Sequence, residues 1–169
     1  MDDGVLHILA EQVGAALRQR SALLTTAESC TGGLIGHWVT SVPGSSKYYL
    51  GGAIVYANQM KKALLGVPAE TLAAHGAVSR ETALAMADGA RRLVGPDREE
   101  RVVGLSVTGI AGPGGGTVEK PVGTVWIGIS SPRGRQAWQY HFNGARREIK
   151  AQSAETALRL LLEWLHGGL

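Results

Sequence analysis

Thr25-Thr26-Ala27-Glu28-Ser29-Cys30-Thr31-Gly32-Gly33 lies between two apolar runs, Ala22-Leu23-Leu24 and Leu34-Ile35-Gly36-His37-Trp38-Val39. That order predicts a strand, a tight turn and then a helix. Ser29, Cys30 and Thr31 would sit at the mouth of the helix, and Gly32-Gly33 would let other groups approach its backbone. The first N–H groups of a helix have no internal partner, and the dipole there favours negative charge. A phosphate or the oxyanion of an attacked carbonyl would suit such a place. A simply capped helix start is the plain alternative, since Ser and Thr are preferred caps. Three hydroxyl or thiol side chains around one turn, backed by a glycine pair, favour the site.

Upstream, Leu6, Leu9, Val13, Ala16 and Leu17 recur at helical spacing and predict a first helix. A strand is expected over 22–27 and a second helix over 31–41, broken by Val42-Pro43-Gly44-Ser45-Ser46. Tyr48 to Ala57 predicts another strand. Asn58 to Leu65 predicts a short helix capped by Asn58 and ended by Gly66. Pro68 opens a brief helix that stops near Gly76. Ser79 caps a longer one, with Thr82 where a capping box would place Glu or Gln, and Gly95-Pro96-Asp97 ends it. Val102 to Val107 is an apolar run of strand length, followed by a loop from Thr108 to Thr117. Gly123–Ile129 and Arg135–Phe142 alternate as strands around the turn Ser131-Pro132-Arg133-Gly134. A last helix is expected over 145–165. Helices interleaved with strands, then a late hairpin, predict an α/β fold with a mixed sheet flanked by helices. No internal repeat or long linker divides residues 1–169, so a single domain is expected.

The chain has 169 residues, 44% of them apolar and 18% charged, with a formal net charge of +3. Its basic residues come in pairs such as Lys61-Lys62, Arg91-Arg92 and Arg146-Arg147, not in a run. One Phe, four Tyr and four Trp do not supply the aromatic and basic stripe of a nucleic-acid binder, so none is expected as a partner. The one cysteine excludes an internal disulfide and a cysteine-based zinc site. No signal peptide and no apolar run of membrane-spanning length is visible, so no membrane partner is expected and a cytoplasmic location is.

The loop Thr108–Thr117 holds five glycines after a buried strand, as ligand loops of open α/β sheets do. It lacks the Walker Gly-Lys-Ser/Thr ending and the Rossmann spacing. A flexible turn needs fewer glycines, so close approach of the backbone to another group is expected. Tyr56, at a strand end, and Lys61, one turn into the next helix, can point at one spot, and only one of Lys61 and Lys62 can face a pocket. The five histidines share no motif, and neither Gly-x-Ser-x-Gly nor a metal-binding His pair is present. If Ser29 is a nucleophile, its base is therefore a lysine sooner than a histidine.

Taken together, Thr26-Ala27-Glu28-Ser29-Cys30-Thr31-Gly32-Gly33, Gly44-Ser45-Ser46, Gly51-Gly52 with Tyr56 and Lys61, Gly76-Ala77-Val78-Ser79, Thr108-Gly109-Ile110-Ala111-Gly112-Pro113 and Lys120-Pro121-Val122-Gly123-Thr124-Val125 resemble, in order, the CinA C-terminal-domain family. Its characterised members are nicotinamide-nucleotide amidohydrolases. The resemblance covers nearly the whole chain, which is expected to be the amidohydrolase-like part; many members carry a separate N-terminal domain in addition. It implies a three-layer α/β/α sandwich, with Ser29 as nucleophile and Lys61 and Tyr56 as its partners. Backbone N–H groups at Cys30 and Thr31 would form the oxyanion site. Gly32, Gly33, Ser45, Thr108, Gly109 and Arg146 would bind substrate, with the Thr108–Gly109 loop and Arg146 cradling its phosphate. Ala57 and Gln59 stand where Ser and Glu are common, Gly114 where Asp is common, and Ala145 where Asp often precedes Arg146.

The implied reaction is hydrolysis of the carboxamide of nicotinamide mononucleotide to nicotinic acid mononucleotide and ammonia, without metal or cofactor. The partner is a small-molecule nucleotide, and a homo-oligomer is expected. Lys61 could accept a proton only when neutral, whereas a free lysine titrates at about 10.4, so burial or a nearby positive charge must lower it. Two rival readings are a nucleotide- or protein-binding module of the same fold with weak or no catalysis, and a phosphoryl transferase using the glycine loop. The missing Walker lysine and magnesium carboxylates count against the second.

Overall fold

A computed structural model describes residues 3–95 and 100–167. It consists of α1 (Asp3–Gln19), β1 (Leu23–Glu28), α2 (Leu34–Thr40), a 3-10 turn (Ser45–Lys47), β2 (Tyr49–Ile54), α3 (Asn58–Leu65), α4 (Ala69–His75), α5 (Arg80–Arg92), β3 (Val102–Gly109), β4 (Thr124–Ser131), β5 (Gly134–His141) and α6 (Arg146–His166). The five strands form one mixed sheet in the order β2-β1-β3-β4-β5. β1 lies parallel to both β2 and β3, while β3–β4 and β4–β5 are antiparallel. Helices cover both faces, as the α/β/α sandwich requires.

Alternation along β3 explains the layers. Val103, Leu105 and Val107 point into a core shared with Leu6, Leu9, Val13 and Leu17 of α1 and Ile149, Leu158 and Leu161 of α6. Each such side chain, once fully buried, contributes roughly 1.5–3 kcal/mol. On the other face, Gly104 and Ser106 of β3 and Gly128 of β4 are small where α5 crosses, so the helix can lie close to them. A Cβ on Gly104 would come within 2.2 Å of the Ala87 carbonyl oxygen, and one on Gly128 within 2.7 Å of that of Ala83. Ser106 Oγ donates to the Ala83 carbonyl at 2.6 Å, turning proximity into a bond. Ser79 caps α5 as its position predicts, its Oγ accepting from the Thr82 N–H at 3.1 Å. Pro96 and Asp97, expected to end that helix, lie outside the described residues.

Three local expectations need correction. α2 begins at Leu34 and not at Thr31, because Gly32 and Gly33 adopt φ of 64° and 96°, which close a turn and do not propagate a helix. Asn58 is the first helical residue of α3, and Ala57 occupies the cap position without a side-chain bond. Thr108 and Gly109 belong to β3, not to the loop after it, because they pair with Trp126 and Val125 of β4.

With β2 on one side of β1 and β3 on the other, the chain reverses direction of progress at β1. The carboxyl ends of β1 and β3 therefore border a crevice, the usual ligand position in such sheets. Ser29, one residue beyond β1, donates its N–H to the Val107 carbonyl of β3 at 2.9 Å.

Candidate active site

Ser29 opens the turn between β1 and α2, and Lys61 lies on the inward face of α3. Their side chains meet, with Oγ and Nζ 3.1 Å apart. Lys61 is 1% exposed and Ser29 6%, whereas Lys62 is exposed. Lys61 Nζ also donates to the carbonyls of Val55 at 2.9 Å and Tyr56 at 3.1 Å, both in the β2–α3 connection. Among the described residues no carboxylate forms an ion pair with it. Burial pushes the ammonium below the ordinary lysine range, against an opposing pull from Cys30.

Cys30 is 4% exposed, and burial pushes its thiol up to about 12. It is therefore a neutral small side chain near neutral pH and not a thiolate nucleophile. The backbone N–H groups of Cys30 and Thr31 donate to no other described residue, the Cys30 N–H having only its own sulfur beside it. The Thr31 side chain is buried, and its Oγ1 has no partner among the described residues.

A cavity of about 250 Å³ opens over Ser29, Cys30 and Lys61 and is bordered by Tyr56, Thr108 and Arg146. Arg146, in the first turn of α6, donates to the Gly112 carbonyl at 2.6 Å and to the Tyr56 hydroxyl at 2.8 Å. It thus ties α6, the β3–β4 loop and the β2–α3 connection together across the cavity. The Tyr56 ring is largely exposed, and its hydroxyl is bonded to Arg146 rather than to Ser29 or Lys61. Only its backbone carbonyl reaches Lys61.

Thr108 borders the cavity, but its hydroxyl donates to the Ala77 carbonyl at 2.7 Å and anchors the α4–α5 connection. Gly109 also borders it, although its lack of a side chain serves packing. A Cβ there would meet Val125 Cγ2 at 2.6 Å and the Thr124 carbonyl at 2.9 Å. Gly112 and Gly116 likewise face Val122, at 2.7 Å to a side-chain carbon and 2.7 Å to its backbone nitrogen. The expected close approach therefore occurs, and at these three glycines the chain's own strand and loop are what approach. Gly112, Gly114 and Gly115 also border the cavity.

Gly32, Gly33 and Ser45 are not brought to the cavity. Gly32 faces Lys150, Gly33 faces Ile54, and Ser45 lies in the 3-10 turn with its N–H on the Val42 carbonyl. The anion at the start of α2 turns out to be internal. The Glu28 carboxylate, 2% exposed, accepts from the N–H groups of Gly33 at 2.9 Å, Ile35 at 3.1 Å and Gly36 at 2.9 Å. Two residues escaped the sequence reading. Glu28 was detectable as an acidic residue just ahead of a glycine-led helix start. Lys150, one turn beyond Arg146 with its Nζ 3.4 Å from where a Gly32 Cβ would be, left no local signal. Among the described residues no group of three His, Cys, Asp or Glu side chains is placed to hold a metal ion. No helix among them is long and apolar enough to cross a membrane.

The profile of the CinA C-terminal domain matches residues 6–165. The chain belongs to the CinA C-terminal domain family. A CinA-like protein of Desulfotalea psychrophila is 50% identical over 157 residues, covering 93% of this chain and 37% of its own length. A CinA-like protein of Geobacter metallireducens is 50% identical over 153 residues, 90% of this chain and 35% of its own. The chain thus spans just over a third of these CinA relatives. Among solved structures, a competence-damaged protein (CinA) superfamily protein from Klebsiella pneumoniae superposes with a TM-score of 0.89 at 33% identity, covering 96% of this chain and 98% of that one. The competence/damage inducible protein CihA from Agrobacterium tumefaciens gives 0.86 at 38% identity, covering 98% of each. The mixed five-stranded sheet between helices is thus the CinA fold.

Proposed function

We propose that this CinA domain hydrolyses the carboxamide of nicotinamide mononucleotide, with Ser29 as nucleophile and Lys61 as general base. The observation that carries the proposal is the buried Ser29–Lys61 pair at 3.1 Å. A neutral amine has two N–H donors and one lone pair. The Val55 and Tyr56 carbonyls accept the two donors, and the lone pair is left for the Ser29 O–H. Burial favours that neutral form.

Ser29 Oγ would attack the carboxamide carbon while its proton passes to Lys61 Nζ. The oxygen that gains charge would be met by the N–H groups of Cys30 and Thr31. Collapse of the tetrahedral intermediate breaks the C–N bond, Lys61 returns the proton to the leaving nitrogen, and ammonia departs from a seryl ester. Water then attacks the ester, again losing a proton to Lys61, and releases the carboxylate and the serine. The balance is one amide and one water to one carboxylic acid and one ammonia. Arg146, at the cavity edge, is the group suited to the substrate phosphate, since a guanidinium binds phosphate oxygens in pairs. Tyr56, bonded to Arg146, would orient it.

Purified protein is given nicotinamide mononucleotide, free nicotinamide or a non-nucleotide amide, and ammonia release is measured. Turnover of the nucleotide well above the other two supports the proposal. No release from the nucleotide at micromolar enzyme refutes it and leaves a nucleotide-binding module of the same fold.

A further inference from the structure

Glu28 is the residue immediately before Ser29 and has no part in the chemistry described above. Its backbone is held on both sides in the centre of the sheet, paired with Ile54 of β2 and Val107 of β3. Its carbonyl accepts from the Val55 N–H at 2.8 Å. Its side chain then reaches past the turn to three N–H groups at the start of α2, at 2.9, 3.1 and 2.9 Å. The turn Ser29–Gly33 is therefore closed on itself, with its first end fixed by the Glu28 backbone and its last by the Glu28 carboxylate.

We propose that Glu28 is a positioning residue for the Ser29 nucleophile and for the donors at Cys30 and Thr31. The inference rests on the reading of Ser29 as nucleophile. Within the turn, Gly32 and Gly33 both have positive φ, a conformation with no helical ladder to support it. Besides the carboxylate, the one bond among the described residues that closes the turn internally runs from the Gly32 N–H to the Ser29 carbonyl at 3.2 Å. Ionised acceptors make stronger hydrogen bonds than neutral ones. Three of them converge here on one buried carboxylate, Oε2 accepting twice and Oε1 once. The charge also occupies the positive end of α2. The carboxylate draws on Gly33, Ile35 and Gly36 and not on the N–H groups of Cys30 and Thr31.

Glu28→Gln tests the inference because an amide cannot reproduce this arrangement. In either orientation its NH₂ faces at least one backbone N–H, donor against donor. Glu28→Asp keeps the charge and withdraws it by one methylene. Three quantities are measured on folded protein: kcat and KM for nicotinamide mononucleotide, and the rate at which a fluorophosphonate labels Ser29. Displacing a reacting group by about 1 Å can cost on the order of 100-fold. For Glu28→Gln we expect kcat and labelling rate to fall together by at least about tenfold, with KM within about twofold and Glu28→Asp intermediate. If Glu28→Gln does not fold, the Glu28→Asp comparison decides, with the same paired loss of kcat and labelling expected at smaller size. A role confined to stability would lower Tm and leave kcat and labelling per folded molecule unchanged, and that result overturns the inference. Failure of wild-type protein to hydrolyse the nucleotide while fluorophosphonate still labels Ser29 refutes the substrate and leaves the labelling comparison to judge Glu28.

Discussion

Replacing Lys61 by methionine separates the base from everything else that the residue does. Methionine is close in length and apolar, so it fills the same 1%-exposed space without a proton acceptor. Two carbonyls, those of Val55 and Tyr56, lose their donor. Each costs about 1–3 kcal/mol if it stays unsatisfied. Removing an amine that is itself costly to bury offsets part of that loss. The net change is small enough, against a typical stability of about 5–15 kcal/mol, for the protein to stay folded. A positioned base contributes about 10²–10⁴-fold, so kcat should fall by that factor, or about 2.7–5.4 kcal/mol of barrier at 1.36 kcal/mol per decade. Ser29 and Lys61 act as a unit, so Ser29→Ala with Lys61→Met should be no worse than Ser29→Ala alone. Lys62→Ala, on the exposed face of the same helix, should leave the rate within about twofold. Ammonia release, with circular dichroism to confirm folding, reads all four variants. Lys61→Met turning over within about tenfold of wild type refutes the general-base role.

Further outcomes are expected at the same site. Ser29→Ala should abolish hydrolysis and retain nucleotide binding by calorimetry, whereas Cys30→Ala should keep most activity because its thiol is neutral near pH 7; the reverse pattern would move the nucleophile to Cys30. Arg146→Ala should raise KM for the phosphorylated substrate at least about tenfold, in line with a charged hydrogen bond, and leave that for the unphosphorylated riboside nearly unchanged. Equal effects on both would place the phosphate elsewhere. The Lys61 pKa is lowered in the fold from 10.5, so kcat/KM should rise with pH through the lowered value and level off before 10.5. Between the folded and unfolded values the unfolded chain binds the extra proton, so stability should rise with pH across that window. Lys61→Met should lose that rise, and a wild-type inflection at or above 10.5 would show that burial does not depress the amine.

How much of this was legible in the chain depends on the range of the signal. Period and punctuation are local, and they sufficed for the elements. Leu6, Leu9, Val13, Ala16 and Leu17 recur at helical spacing, and all five are buried in α1. Ser131 and Gly134 end their strands in register across a two-residue turn, as the hairpin spacing requires. The ordered motifs from Thr26 to Val125 named the family, because many residues agreeing at fixed intervals carry more information than any one loop. Local signals did not decide which groups meet; the family resemblance paired Ser29 with Lys61, and the tertiary structure brought those two together and gave Glu28 and Arg146 their partners. Side-chain destinations depend on strand order and register, which are set by packing between segments far apart in the chain. Putting β1 between β2 and β3 brings Ser29 to Val107 and turns Lys61, not Lys62, inward. Arg146 reaches Tyr56 across 90 residues of sequence. The Glu28 carboxylate finds the start of α2 only because two positive-φ glycines bend the backbone toward it, so the anion that α2 attracts is one the chain already carries.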